Sequence, residues 1–231
     1  MHSFKSLILL CSLAVGLAAV VPAADLGSLT NTDAAAGLKK ALDQGIDKAV
    51  GELGVTDGFL KNPKVHIDLP PRLAKAQNVL RMVGLGQQSD DLVVAMNRAA
   101  EAAVPESKVL LKQALKSMSV ADAKAILTGG EDSATQFFKS KTFTPLKAKF
   151  SPIIARATQQ VKLTEHYDAI AGKGAELGLI KPEDASVQSY VTERALDGLF
   201  VMMAEEERAI RKDPLGQASS LLKKVFGAVA H

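Results

Sequence analysis

The chain is poor in the side chains that commonly act as nucleophiles, metal ligands or aromatic binding platforms. It contains no tryptophan, two tyrosines, four histidines and one cysteine in 231 residues. Cys11 lies in an apolar N-terminal stretch, so the rest of the chain has no thiol for a disulfide bond or for catalysis. His66, His166 and His231 lack the spacing of metal ligands, and no P-loop, dinucleotide fingerprint or Gly-x-Ser-x-Gly motif occurs. The sequence therefore predicts no cofactor and no metal.

Charge and aromatic content argue against a second class of protein, the nucleic-acid binders. The 28 basic and 25 acidic residues leave a net charge of only +3, and basic residues are not interleaved with aromatic ones. The chain is instead rich in alanine, leucine and lysine, with few runs of β-branched residues, which favours helices. The sequence predicts an all-α fold, a single-domain multi-helix bundle with one short extended segment near residues 64–69.

Long apolar runs are absent except at the N-terminus. Lys5 precedes an apolar stretch from Leu7 to Val21, which small residues follow up to Ala23. This order is typical of a secretory signal peptide, so residues 1–23 are predicted to be cleaved off after Ala23. The alternative is a membrane anchor, but about 15 apolar residues are fewer than the ~20 that span a bilayer. We therefore expect a periplasmic protein that is not an integral membrane protein.

The remaining chain divides into an N-terminal arm with the start of the first helix (residues 24–36) and a helical domain (residues 37–231). Apolar residues recur every three or four positions from Asp33 to Leu53, which is the spacing of one helix face. Val65, Ile67 and Leu69 alternate with polar residues instead, which indicates an extended segment.

Caps, glycines and prolines set the bounds of the later predicted helices. A helix over residues 71–85 is predicted to turn Leu73, Leu80 and Val83 inward. A long helix is predicted from the cap at Ser89 to Met118, with a kink at Pro105. Shorter ones are predicted after the capping box of Ser119 and Asp122, after a cap at Asp132 or Ser133, and from Thr144-Pro145. The last predicted helices cover residues 164–178, 182–212 and 215–229.

Polar side chains interrupt a small-residue stretch of the third predicted helix at Asn97, Arg98 and Glu101. Residues four apart share a helix face, so Asn97 and Glu101 point the same way, and Arg98 can pair with Glu101 three residues on. The alanines beside them let another helix approach closely, and a buried charge must be paired. Two interpretations stay open: a polar pocket in which Arg98 holds an anion, or an internal network that fixes the helix register.

A second polar cluster runs from Glu205 to Arg211 on the last long predicted helix. Glu207 and Arg211 have the i,i+4 spacing of a favourable ion pair. Together with Glu206, these carboxylates suggest metal binding or acid–base chemistry as one interpretation. Because the Glu-x-x-His motif of di-metal bundles is missing, the pattern favours a solvated helix face with one or two residues turned inward.

Methionine and phenylalanine also have two interpretations. They form the core, which their helical spacing favours, or they line a cavity for an apolar ligand. The residues are Met82, Met96, Met118, Met202, Met203, Phe137, Phe138, Phe143, Phe150, Phe200 and Phe226.

Several of these motifs occur together in one known family. They are Asp57-Gly58-Phe59, Ile67-Asp68-Leu69-Pro70, Met96-Asn97-Arg98-Ala99-Ala100-Glu101, Ser133-Ala134-Thr135 with Phe137-Phe138, and Leu196-Asp197-Gly198-Leu199-Phe200 through Glu207 to Ile210-Arg211. From about Gly37 to Gly227 the chain resembles the bacterial secreted family named domain of unknown function 4197. The resemblance implies a helical exported protein without an established activity. Its polar positions would be Asn97, Arg98, Glu101, Glu206 and Arg211.

Three functions are compatible with these patterns. The leading one is a non-catalytic periplasmic binding or accessory protein for a partner protein or for an apolar or amphipathic ligand, which would need a cavity on the order of several hundred Å³. The second is a hydrolase or lyase in which Glu101 or Glu206 acts as acid/base and Arg98 or Arg211 binds an anionic substrate. The third is an oligomeric structural envelope protein whose C-terminal helix docks on another copy or on a membrane surface.

Overall fold

The computed structural model describes residues 31–159, 161, 164–165, 167–168, 176, 181 and 184–212. The predictions for the signal peptide, the arm before residue 31, most of the helix over 164–178 and the helix over 215–229 lie outside these residues, as do those for His166, Phe226 and His231. Within the described residues the fold is all-helical and contains no strand. The predicted fold class is confirmed.

The helices follow one another in a simple order along the chain. They are α1 (Asn31–Leu53), α2 (Pro71–Met82), α3 (Gly86–Ala103), α4 (Ser107–Ser117), α5 (Val120–Thr128), α6 (Ser133–Thr158) and α7 (Val187–Lys212), with a 3-10 turn at Val104–Glu106. α6 packs against α7 and α3, while α1 packs against α7, α4 and α5. α2 packs mainly on α3. None of these helices is long and apolar enough to cross a bilayer.

The spacing of apolar residues in α1 builds one side of the core. Leu38, Leu42, Ile46, Val50 and Leu53 are all buried, as the helical periodicity predicts. Burying one such side chain contributes about 1.5–3 kcal/mol relative to leaving it in water. The apolar stripe therefore fixes which face of α1 meets the other helices.

The local signals at Pro105 and Ser119 are confirmed. Pro105 lies in the 3-10 turn that separates α3 from α4, because proline cannot continue the hydrogen-bond ladder of a helix. Ser119 Oγ accepts a hydrogen bond from the amide of Asp122 at 3.0 Å, and the Asp122 carboxylate accepts one from the amide of Ser119 at 2.8 Å. This reciprocal pair is a capping box, and it starts α5 at the predicted residue.

The two helices predicted on either side of Thr144-Pro145 are in fact one helix, α6, which contains Pro145 and Pro152. Each proline lacks the N–H that would bond to the carbonyl four residues earlier, here those of Lys141 and Ala148. All four of these residues are exposed, so water can solvate the freed carbonyls. Packing of the opposite face of α6 on α7 and α3 then outweighs the two missing bonds.

The predictions for the end of α2 and the start of α3 are wrong in two respects. Val83 faces outward with 63% exposure, and α2 has no buried residue at all. α3 begins at Gly86 rather than after a cap at Ser89, which is fully buried inside the helix. Gly84 makes the turn between the two helices with a φ of +80°, a conformation that glycine adopts without strain. α2 therefore leaves apolar side chains on the surface.

The segment between α1 and α2 is ordered although it is not helical. Val65, Ile67 and Leu69 are buried while Lys64 and Asp68 are exposed, so the predicted alternation is confirmed. A buried non-helical backbone needs hydrogen-bond partners outside itself. In this protein the polar cluster of α3 supplies them.

Methionine and phenylalanine side chains are mostly core, as their spacing favours. Those that are buried are Met96, Met118, Met202, Met203, Phe59, Phe138, Phe150 and Phe200, whereas Met82 is 86% exposed. Phe59 packs against α7 at Gly198, where a Cβ atom would lie 2.8 Å from Phe59 Cε1. The glycine thus leaves room for the non-helical segment to lie against the bundle.

Candidate functional site

Asn97 joins α3 to the non-helical segment through both ends of its side-chain amide. Its Oδ1 accepts a hydrogen bond from the amide of Ile67 at 2.9 Å, and its Nδ2 donates to the carbonyl of Ile67 at 2.9 Å. Nδ2 also donates to the carbonyl of Val93 at 2.8 Å. The side chain is fully buried, so each of these bonds replaces one to water. The two bonds between Asn97 and the backbone of Ile67 thus replace those that a neighbouring β-strand would make.

Glu101 binds the backbone of the same non-helical segment at an earlier turn, at residues 59–60. Its Oε1 accepts hydrogen bonds from the amides of Phe59 and Leu60, both at 3.1 Å. Its Oε2 accepts one from Arg98 Nη1 at 2.7 Å. Glu101 is only 5% exposed, so its charge is compensated by Arg98 and by two backbone dipoles rather than by solvent.

Asp57 completes this first cluster on its solvent side. Its Oδ1 accepts a hydrogen bond from Arg98 Nη2 at 2.7 Å, and its Oδ2 lies 2.9 Å from Lys61 Nζ. The two cations hold the pKa of the Asp57 carboxyl below its usual range, with Lys61 as the larger cause. Glu101 and then Asp57 raise the pKa of the Arg98 guanidinium in turn. Asp57 also has a φ of +72°, which aspartate tolerates better than most residues.

We expect Asp57→Asn to lower the melting temperature at pH 7, and we expect the difference from the unaltered protein to shrink as the pH falls below about 4. A lowered pKa gives stability that is fully present above the unfolded pKa of about 3.9 and is lost as the pH falls through the folded pKa. Asparagine accepts the positive φ, so the substitution removes the charge and one acceptor oxygen without straining the backbone. Thermal unfolding of both proteins between pH 3 and pH 7 measures the gap, with Asp90→Asn on the exposed start of α3 as control. A gap that does not change with pH would contradict the assignment.

Glu207 on α7 forms the second cluster and caps α6. Its Oε1 accepts the amide of Ala134 at 2.9 Å, while its Oε2 accepts the amide and the hydroxyl of Thr135 at 2.8 Å and 2.9 Å. These are free amides of the first turn of α6, where a negative charge is favourable. Asp132 occupies the predicted N-cap position of α6, but its side chain makes no cap bond. Ser133 Oγ donates to the carbonyls of Ile126 and Gly130, so Glu207 supplies the cap instead.

Arg211 compensates the charge of Glu207 and extends the cluster to α5. Its Nη2 lies 2.8 Å from Glu207 Oε1, and its Nε lies 3.2 Å from the same oxygen. Nη2 also donates to the carbonyl of Ile126 at 2.9 Å and to Ser133 Oγ at 2.8 Å. One arginine therefore connects the end of α5, the start of α6 and the end of α7.

Glu205 and Glu206 pair with lysines from other segments, and their side chains are 28% and 13% exposed. Glu206 binds Lys48 of α1, with its oxygens 2.7 Å and 2.9 Å from Nζ. Glu205 binds Lys64 at 2.7 Å. Exposed ion pairs of this kind contribute about 0–1 kcal/mol each. Of the three carboxylates, Glu207 is the most deeply buried, with 4% exposure of its side chain.

The two clusters lie on different parts of the bundle. Arg98 and Glu101 bond to residues 57–60, whereas Glu207 and Arg211 bond to residues 126–135. In the part of the chain that the structure describes, no hydrogen bond or ion pair links one cluster to the other. The candidate residues therefore form two separate clusters and not one common site.

A third carboxylate has a similar structural task at the start of α7. Asp168 Oδ1 accepts a hydrogen bond from the amide of Val187 at 2.7 Å. Tyr167, beside it, donates its hydroxyl proton to the carbonyl of Asp184 at 2.9 Å, and burial raises the pKa of Tyr167 to about 12. The polar residues of this stretch thus hold the entry of α7 in place.

A carrier of an apolar ligand would need a cavity, and a metal-dependent function would need a cluster of metal ligands. Two apolar cavities beside Glu207 measure about 10 Å³ each, which is room for one water molecule. An open groove of about 400 Å³ lies on the surface between Glu131, Arg208, Arg211 and Lys212. Among residues 31–159 and 184–212 and the few described residues between them, no three His, Cys, Asp or Glu side chains are placed to hold a metal ion.

The fold and these clusters define an all-helical bundle protein whose inward-facing charged side chains fasten loops and helix ends. Residues 28–227 match the model of the family described as "Protein of unknown function (DUF4197)", so the chain belongs to this family and the resemblance seen in its motifs is confirmed. No curated protein and no solved structure matches the chain.

Proposed function

We propose that the protein is an exported, non-catalytic accessory protein of the bacterial envelope that acts through its outer surface. Export is supported by residues 1–23, where basic, apolar and small residues follow one another as in a cleaved leader. Periplasmic residence follows from that leader if the chain is released after cleavage. Membership of the family neither adds nor removes an activity.

The proposal that the protein is non-catalytic rests on one observation: the buried carboxylates already have hydrogen-bond partners within the chain. Both oxygens of Glu101 and of Glu207 accept hydrogen bonds from amides, hydroxyls or guanidinium groups of the chain itself. An acid/base catalyst must exchange a proton with its substrate, so it needs a carboxyl oxygen that can reach that substrate. The oxygens of Glu206, the other candidate acid/base residue, both lie within 2.9 Å of Lys48 Nζ. Because the candidate carboxylates already have partners within the chain, the hydrolase or lyase alternative is disfavoured.

The size of the cavities favours a partner on the outside over a ligand on the inside. A site for a drug-sized apolar molecule has on the order of 300 Å³ or more. The two apolar cavities beside Glu207 hold about 10 Å³ each, and the groove of about 400 Å³ is open to solvent and lined by charged side chains. The alternative of an oligomeric structural protein depends on the helix predicted from Leu215, and these residues lie outside those that the structure describes. Surface recognition is the function that the described geometry supports best.

We expect the protein recovered from a periplasmic extract to begin at Ala24 and to carry no small molecule. Intact mass under denaturing conditions measures the cleavage site, and native mass spectrometry of the same sample measures any retained ligand. A matched control is Ala23→Leu, which removes the small residue before the cleavage site and should leave the leader attached. An unprocessed cytosolic chain would refute export. A stoichiometric small molecule lost on denaturation would restore the carrier or enzyme alternatives.

A further inference from the structure

The helix α2 presents an apolar surface that the bundle does not use. Val79, Met82 and Val83 are 60%, 86% and 63% exposed, and α2 contributes no buried residue to the core. Residues three and four apart lie on one helix face, so these three side chains form a single patch. The patch ends at the glycine turn at Gly84 and thus lies at the tip of the α2–α3 hairpin.

The same face is positively charged on the side towards the start of the helix. Between Asp68 and Asp90 the sequence contains three basic residues and no acidic one. Lys75 lies four residues before Val79 and seven before Met82, which puts it on the apolar face. In the described part of the chain, neither Lys75 nor Arg81 has an ion-pair partner. At 1.5 Å per residue, Lys75 lies about 10 Å from Met82 along the helix axis.

We infer that the tip of α2, where the apolar patch of Val79, Met82 and Val83 shares a face with Lys75 and is flanked by Arg81 on the other side of the helix, binds an anionic phospholipid surface. This inference rests on the proposed function and names the partner of the outer surface. Interfacial helices bury an apolar face about 5–10 Å into the boundary between headgroups and acyl chains, with Lys and Arg at the phosphates. With the tip of the hairpin towards the bilayer, Met82 enters this boundary while Lys75, about 10 Å further back along the helix axis, lies at the headgroups.

Two other occupants fit this face less well. A second copy of the chain would set two helices without acidic residues against each other, because a two-fold contact uses the same patch on both copies. A folded protein partner would need a surface complementary to a protruding hairpin tip and acidic groups matched to Lys75 and Arg81. A fluid anionic membrane supplies the negative charge and accommodates the protruding tip without a preformed complementary surface.

The test is sedimentation of the full chain, in whichever processed form the cell yields, with vesicles of phosphatidylglycerol and phosphatidylethanolamine or of phosphatidylcholine alone. We expect at least tenfold stronger binding to the anionic vesicles, weakened by 0.5 M salt. V79S/M82S/V83S should reduce this binding at least tenfold, and K75E/R81E should abolish its preference for anionic lipid. The matched control V55S/V109S/V120S changes three valines that are 45–60% exposed elsewhere and should bind as the unaltered chain does.

Each other outcome overturns the inference. Absent binding, or equal binding by the α2 variants and the control, would remove α2 as a lipid site. Because all substituted residues are exposed, circular dichroism should show folded variants, and K75E/R81E gives an independent reading if V79S/M82S/V83S does not fold. A dimer lost in V79S/M82S/V83S would assign the face to a second copy. A photo-crosslink from position 82 to an envelope protein, without vesicle binding, would overturn the lipid inference and leave the proposed surface function intact.

Discussion

Glu207→Ala is expected to lower the free energy of unfolding by about 3–5 kcal/mol, the usual effect of removing one partner of a buried ion pair. Glu207 is 4% exposed and Arg211 is largely buried beside it, so the lost carboxylate leaves a guanidinium without its counter-charge. The amides of Ala134 and Thr135 lose their acceptor at the same time. Urea unfolding followed by circular dichroism measures the change.

The control for this prediction is Glu205→Ala two residues earlier on α7. Glu205 forms an ion pair with Lys64 near the surface, and such a pair contributes about 0–1 kcal/mol. Both substitutions remove one carboxylate from the same helix, so they differ in the environment of the carboxylate rather than in helix propensity. Equal losses in the two variants would show that Glu207 is not the cap of α6.

A double variant separates the ion pair from the cap. Replacing a buried ion pair by apolar residues of similar size is often neutral, because two desolvation penalties disappear together. In Glu207→Leu with Arg211→Met the amides of Ala134 and Thr135 still lack an acceptor, and each unsatisfied buried amide costs about 1–3 kcal/mol. We therefore expect the double variant to remain clearly less stable than the unaltered protein. Full recovery would mean that the charge pair alone mattered.

The parts of this fold that the sequence predicts are those that local spacing determines. The stripe from Leu38 to Leu53 and the pair of Ser119 and Asp122 depend on residues a few positions apart, and both are found as predicted. The i,i+3 pair of Arg98 with Glu101 is local in the same sense. Such patterns can be read without knowledge of the neighbours in space.

The parts that could not be predicted join residues far apart in the sequence. Glu207 and Thr135 are 72 positions apart, and no pattern near either residue indicates that one caps the helix of the other. Val83 was misassigned because periodicity predicts a face and does not tell whether another element covers it. Pro145 predicts a break between two helices, but the helix continues because its freed carbonyls face water, and that exposure depends on how the rest of the fold packs. In each case the tertiary environment decides the outcome.

Glu101→Ala should lower the free energy of unfolding by about 3 kcal/mol, since two buried amides lose their acceptor at about 1–3 kcal/mol each. Arg98 keeps its bond to Asp57, so the loss should be somewhat smaller than for Glu207→Ala. Glu101→Gln preserves an oxygen for the amides of Phe59 and Leu60 and should recover part of the stability. Glu106→Ala, at an exposed carboxylate close by, is the control.

The same series of variants decides whether Glu101 has a structural role or a role in catalysis or binding. If Glu101 fastens the turn, stability follows the order unaltered protein, Gln variant, Ala variant, and urea unfolding reports that order directly. Hydrogen exchange of the Phe59 and Leu60 amides should quicken in Glu101→Ala, because their acceptor is gone. If Glu101→Ala were as stable as the unaltered protein, the carboxylate would not be needed for the fold. A buried carboxylate that does not contribute to stability would then point to catalysis or binding, and the hydrolase or lyase alternative would have to be tested with substrates.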